Sequence, residues 1–230
     1  MNTTRKPGRC LGLVGGLGPG ATVHYYRELV AAHKHQGHSL RILIGHADIE
    51  RVYAAVNAND FDGLARYFAG IIGDMAAGGA EYTAVVAATA HICAGELAAL
   101  SPLPLINMLT EVRQAVDAQG LRRVGLLGTR FTIESRMFGC LEGIETIMPD
   151  GPQIERIHEL YKEFVDGRGS DAKADELRKI AQELVSSGGA QSVLIAGTDL
   201  SNVFTESNAG FPMIDCARVH IDAIVRRLLD

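Results

Sequence analysis

A chain of 230 residues, 47% hydrophobic and 21% charged, can build one large domain or two of ordinary size, each with a substantial core. Its formal net charge of −5 gives no electrostatic reason to expect nucleic acid or an anionic membrane surface as a partner. No apolar run approaches the roughly 20 residues that a membrane span needs, and the four cysteines (Cys10, Cys93, Cys140, Cys216) lack the paired spacing of a structural zinc site.

In chain order, short β-like runs alternate with helical stretches. Met1 to Arg9 is polar and basic, and the segment after it is too glycine-rich for a signal peptide, so a cytoplasmic protein with reduced cysteines is expected. Cys10 to Val14 predicts a strand, followed by the loop Gly15-Gly16-Leu17-Gly18-Pro19-Gly20 and a helix over about 21–33 with Thr22 near its start. Leu40 to Gly45 reads as the next strand, with Arg51 in the loop after it, and Phe61 to Ala77 as a long helix with apolar residues three and four apart. Glu81 to Ala87 is a strand that leads into a helix through His91 to Leu100. Leu103 to Asn107 is a short strand between prolines, and Leu109 to Ala118 a helix.

The cycle then restarts. Strands are predicted at Arg123–Leu127, Ile144–Met148, Ser192–Ile195 and Phe211–Ile214, and helices over 132–141, 154–165, 171–187 and 217–229. This rhythm implies right-handed βαβ units and mostly parallel sheets. The second half also imitates the first. Gly12-Leu13-Val14-Gly15 is echoed by Gly125-Leu126-Leu127-Gly128, and Gly78-Gly79-Ala80 by Gly188-Gly189-Ala190. The expected fold is therefore α/β, with two pseudo-symmetric Rossmann-like lobes: residues 1–105, with 215–230 packing back on them, and residues 106–214. Open α/β sheets bind ligands at the C-terminal ends of their strands, which here would line a cleft between the lobes.

Two strand ends carry most of the chemistry, Val85-Val86-Ala87-Ala88-Thr89-Ala90-His91 and Leu194-Ile195-Ala196-Gly197-Thr198-Asp199-Leu200. Each ends in a small residue, a threonine and an ionisable side chain. His91 has an unperturbed pKa near neutrality and could act as general acid or base, with Asp199 as its counterpart. Both also have ordinary readings, His91 as a packed or capping residue and Asp199 as a helix cap. Thr89 and Thr198 offer hydroxyls and backbone N–H groups to a carboxylate or to developing negative charge. Cys93, two residues past His91, points to another helical face and is expected to be a buried structural thiol. Cys216 is expected in the core. His33, His35 and His38 look like a metal cluster but lack acidic partners, so a solvated connector is the better reading, and no metal site is assigned. Gly16-x-Gly18-x-x-Ala21 formally fits a dinucleotide fingerprint. Pro19, however, removes an amide donor, and no acidic residue ends a second strand about 20 positions later.

Taken together, G-L-V-G-G-L-G-P-G-A-T, V-V-A-A-T-A-H, G-L-L-G-T-R-F-T with Pro149, L-I-A-G-T-D-L, and Pro212-Met213-Ile214-Asp215 with His220 resemble, in order, the motifs of the aspartate/glutamate racemase superfamily. The resemblance implies cofactor-independent amino-acid chemistry with a small carboxylate ligand, and a chain able to form a homodimer. It implies substrate contacts from Gly16, Gly18, Arg51, Ala88, Thr89, Thr129, Thr132 and Thr198, with Arg51 as a two-toothed carboxylate binder. It also implies a pair of cysteines, one thiolate removing the α-proton and one thiol returning a proton on the other face. Here those positions are Ala87 and Gly197, and the usual asparagine is Ala88, so the two-thiol mechanism cannot run. Three expectations stay open. One is an amino-acid racemase or close isomerase using His91 or Asp199. Another is a lyase or decarboxylase on the same scaffold, and the third is a ligand-binding homologue without turnover.

Overall fold

In the computed structural model the described residues are 6–230; the first five residues of the basic N-terminal segment lie outside them. The described residues fall into two compact units, one running to Asn107 and taking in His220–Asp230, the other Met108–Val219. Both are built on parallel strands flanked by helices.

The first unit contains β1 (Lys6–Gly15), α1 (Pro19–His35), β2 (His38–His46), α2 (Ile49–Ala58), α3 (Phe61–Ala77), β3 (Tyr82–Val85) and α4 (Ala94–Leu100). Its sheet has the order β2-β1-β3, all parallel, and Leu105 adds an isolated parallel bridge to Thr83 beyond β3. The segment 103–107 is thus a single bridge rather than the strand predicted for it. Pro102 and Pro104 remove ladder donors, leaving Thr83 N donating to Pro104 O and Ile106 N to Thr83 O.

The second unit contains α5 (Met108–Ala118), β4 (Arg123–Gly128), α6 (Arg130–Glu134), β5 (Glu145–Ile147), α7 (Gly151–Val165), α8 (Asp171–Ser186), β6 (Ser192–Ala196) and β7 (Met213–Asp215); α9 (Cys216–Leu229) starts here and ends in the first unit. Its parallel sheet has the order β5-β4-β6-β7. The two sheets follow one plan. The first strand of each unit is central, the second lies on one side and the third on the other, and Leu105 stands where β7 stands.

Local sequence explains these elements. β1 buries Leu11, Leu13 and Val14, β4 buries Val124, Leu126 and Leu127, and β6 is buried throughout, the near-continuous burial expected of strands covered on both faces. α3 starts at Asp60, whose carboxylate accepts from Gly63 N at 2.9 Å, and buries Leu64, Ala65, Phe68, Ile72 and Met75 on one face. α7 opens with a reciprocal cap between Asp150 and Gln153.

Three further expectations are corrected. Arg51 lies not in a loop but in α2, a helix nucleated by Asp48 accepting from Glu50 N at 2.9 Å and buried only through Val52 and Val56. The helix predicted over 132–141 stops at Glu134. Arg136, Met137 and Phe138 then take positive φ (51°, 55° and 54°) before Gly139, a left-handed turn that closes the helix. His33 is not solvated: α1 continues two residues beyond the predicted end and buries its ring, with Nδ1 donating to Leu29 O at 2.8 Å.

Candidate functional site

Each unit ends its central strand in a glycine pressed against a helix threonine. In the first, a Cβ on Gly15 would lie 2.5 Å from Thr22 Cγ2, and Gly16 N donates to Thr22 Oγ1 at 3.0 Å. Gly16 itself has φ +87°, and a Cβ there would lie 2.5 Å from both Ala47 O and His46 Nδ1. Glycine is therefore required by backbone approach, and the Gly16 amide is already engaged within the loop. Gly18 precedes α1 with φ 138°. In the second unit a Cβ on Gly128 would lie 2.6 Å from Ala196 O and 2.7 Å from Thr132 Oγ1. Thr129 caps α6 by accepting from Thr132 N at 3.2 Å, and Thr132 Oγ1 donates to Thr129 O at 2.8 Å. Thr129 and Thr132 thus hold the turn that comes after β4.

After β3 the chain runs through buried Ala87 and Ala88 into a 3-10 turn, Thr89–Cys93, which replaces the first part of the helix predicted through His91. The turn brings Thr89 and His91 inside. His91 is only 3% exposed, and its Nδ1 donates to Ala87 O at 2.8 Å. Burial pushes its imidazole down to about 4, partly offset by that hydrogen bond, so the ring is neutral at pH 7. Its edge meets the fully buried His220, the ring centroids 5.9 Å apart and the planes at 82°. His220 Nε2 donates to Ile106 O at 2.8 Å, which leaves Nδ1 to accept from Tyr25 OH at 3.1 Å. Burial, then the neighbouring His91, hold His220 at about 3. Cys93 is buried with its Sγ donating to Ala90 O at 3.4 Å, and burial pushes its thiol up to about 12.

After β6 comes the matching 3-10 turn, Thr198–Asn202, preceded by Gly197. Thr198 is 1% exposed, and its hydroxyl is buried with no hydrogen-bond partner. Asp199 is 4% exposed and does not cap a helix; its Oδ2 accepts from Tyr161 OH on α7 at 3.0 Å. The Tyr161 ring lies against Gly197, where a Cβ would come 2.5 Å from its Cε2 and 3.0 Å from its Cδ2. At the other end of the turn, Ser201 Oγ donates to Asp215 Oδ1 at 2.7 Å, the same oxygen that accepts from Ala217 N at 2.9 Å to start α9. Cys216 is fully buried, as expected of a core residue, and burial holds its thiol well above the ordinary range.

Arg51 sits on a groove of about 330 Å³ between α2 and α3, lined by Ala54, Ala55, Ala58, Asp60 and Gly63. Its guanidinium stacks 4.0 Å from the centroid of Tyr67, whose hydroxyl accepts from Asp48 N at 2.8 Å. The structure thus brings His91 together with His220, His220 with Tyr25, and Asp199 with Tyr161. Nothing in the sequence marks Tyr25 or Tyr161, and His220 stands out there only as part of the C-terminal motif. Each partner lies far along the chain from its contact, where local spacing carries no signal. Among the described residues, no three His, Cys, Asp or Glu side chains are grouped to hold a metal ion, and no helix is long and apolar enough to cross a membrane.

A two-lobed α/β architecture of parallel sheets with paired strand-end turns is the fold of the Asp/Glu racemases. Residues 14–224 match the Asp/Glu/Hydantoin racemase family, and the chain belongs to that family. Among solved structures it is similar to a candidate Asp/Glu racemase from Yersinia pestis, at 27% identity and a TM-score of 0.84, over 96% of this chain and 100% of that one. An aspartate racemase homologue from Pyrococcus horikoshii matches at 20% identity and a TM-score of 0.80, covering 96% and 99%. The aspartate racemase of Picrophilus torridus matches at 21% identity and 0.74, covering 96% and 94%. At the identities of the last two the likeness is one of fold.

Proposed function

We propose that this chain binds a small amino acid or dicarboxylate at its strand ends, in the cleft expected from the sequence, and does not racemise it by two thiols. The observation that carries this reading is Thr198. A buried hydroxyl without a partner costs on the order of 1–3 kcal/mol, and a ligand oxygen would satisfy it. Thr89 and the carboxylate-binding role proposed for Arg51 complete the ligand set. The Gly16, Thr129 and Thr132 side of the loops holds the strand-end turns in place through its own hydrogen bonds.

His91 and Asp199 are the proposed acid/base groups if the chain turns its ligand over. As a neutral imidazole whose Nδ1 proton is engaged by Ala87 O, His91 serves as a base or hydrogen-bond partner through Nε2 rather than as a ready acid. That favours a step that needs only proton abstraction, such as a lyase elimination, over racemisation; a decarboxylase or isomerase step would need Asp199 or solvent to supply the proton. The working protein is proposed to be cytoplasmic, free of cofactor and able to form a homodimer.

The test is hydrogen–deuterium exchange at the α-carbon in D₂O, followed by NMR over L- and D-amino acids and small dicarboxylates. Exchange or turnover lost in His91→Ala or Asp199→Ala supports an acid/base site without cysteines. Ligand-induced thermal stabilisation without exchange supports the binding reading, and neither effect with any compound refutes both.

A further inference from the structure

We propose that Tyr161 closes position 197 to any side chain, so that this scaffold has room for a strand-end thiol at position 87 only. The consequence for chemistry rests on the proposed function above, that a small carbon acid binds at the strand ends. The steric part stands independently of it.

A Cβ on Gly197 would fall 2.5 Å from Tyr161 Cε2 and 3.0 Å from Cδ2, well inside the roughly 3.5–4.0 Å at which carbon atoms rest against each other. Room is also short on the backbone side, where Gly128 Cα would be 3.3 Å away. Nor is the ring a loose neighbour. Tyr161 is 6% exposed on α7, and its hydroxyl is fixed by Asp199 Oδ2 at 3.0 Å. A side chain at 197 therefore has to displace the ring and lengthen that hydrogen bond. Position 87 is different, because Ala87 already carries a Cβ, and a cysteine there adds a single sulfur.

This asymmetry determines which outcomes a thiol could restore. Inversion at carbon needs one group to remove the α-proton and a second to deliver a proton to the opposite face. A lone thiolate at 87 would take the α-proton, leave the electron pair on the substrate carbanion, and return a solvent-derived proton from the same side. Its substrates would exchange hydrogen with retained configuration. Tyr161 is thus a specificity-determining residue that excludes the two-thiol reaction.

The experiment combines thermal unfolding of the wild type, Gly197→Ala, Tyr161→Ala and the double variant with NMR exchange in variants carrying Ala87→Cys. Gly197→Ala should lower the Tm by about 4 °C or more in the presence of Tyr161, and by far less in the Tyr161→Ala background. If Gly197→Ala yields no folded protein, recovery of folding in the double variant supports the proposal equally. Equal losses in both backgrounds, or failure of the double variant to recover, overturn the proposal. Ala87→Cys should give α-hydrogen exchange with retention, and adding Gly197→Cys should give inversion only when Tyr161→Ala is also present. Inversion in Ala87→Cys/Gly197→Cys with Tyr161 in place overturns it too. Strong coupling in the unfolding cycle with no exchange in any variant would leave the steric assignment standing and count instead against the proposed amino-acid ligand.

Discussion

Tyr161 donates its hydroxyl to Asp199 across 38 residues of sequence, tying α7 to the turn after β6 at 3.0 Å. The bond gives Asp199 a partner inside the fold and sets the ring against Gly197. Tyr161→Phe keeps the ring and removes the hydroxyl. Chemical denaturation at pH 7 should show a loss of about 1 kcal/mol, the usual net worth of a buried hydrogen bond, rather than the larger loss that a cavity in place of the ring would produce. Asp199→Ala should cost at least as much, since it leaves the phenol without this acceptor.

The edge-to-face pair His91 and His220 makes stability pH-dependent. Both rings are buried and neutral in the native state, held at about 4 and about 3, whereas each titrates near 6.5 when unfolded. The unfolded chain therefore binds more protons below pH 6.5. Their contribution to stability is present in full above that pH and drains away as the pH falls toward 4. Each histidine contributes a slope of about 1.4 kcal/mol per pH unit in that window. Urea denaturation between pH 7 and 4.5 should show this decline, with smaller contributions from His33 and His158, whose pKa values burial also lowers, and His91→Asn should flatten it. An unchanged profile in that variant would show that the pair is not its source.

Gly16 is held at φ +87° with Ala47 O and His46 Nδ1 where a side chain would begin. Gly16→Ala should cost more than about 2 kcal/mol in a denaturant titration, combining left-handed strain with a backbone clash. The same substitution at Gly120, also at positive φ but with open space around it, should cost only about 1 kcal/mol.

Thr198 has a different signature. Its hydroxyl is buried without a partner, so Thr198→Val removes a polar group and keeps the shape of the side chain. The ligand-free protein should be as stable as the wild type, or more stable by about 1 kcal/mol. A loss of stability in that variant would mean that the hydroxyl already has a role inside the fold.

How much of this was legible in the sequence depends on the range of each interaction. The helix Phe61–Ala77 is written locally, in Asp60 as its cap and in apolar residues three and four apart from Leu64 to Met75. The repeated glycine strand ends likewise announce two similar sheets, because a glycine is needed wherever a helix threonine presses on the strand. α2 is hidden because it buries little beyond Val52 and Val56. The left-handed turn at 136–138 has no sequence mark, since arginine, methionine and phenylalanine rarely adopt it and the surrounding fold imposes it. Within the site, Thr198, Asp199 and His91 could be singled out by their place after small strand-end residues. Tyr161, Tyr25 and His220 act through contacts made only once the chain has folded, and Tyr161 in particular explains why glycine stands at 197.

The central claim, a small carboxylate or amino acid held through the strand end at Thr198, is tested most directly by isothermal titration calorimetry. The wild type and Thr198→Val would be titrated in parallel with D- and L-aspartate, D- and L-glutamate and simple dicarboxylates at pH 7. The prediction is saturable one-site binding of at least one compound to the wild type, weakened at least tenfold in the variant, which corresponds to about 1.4 kcal/mol. Equal affinity in the two proteins, or no heat of binding with any compound, would contradict it.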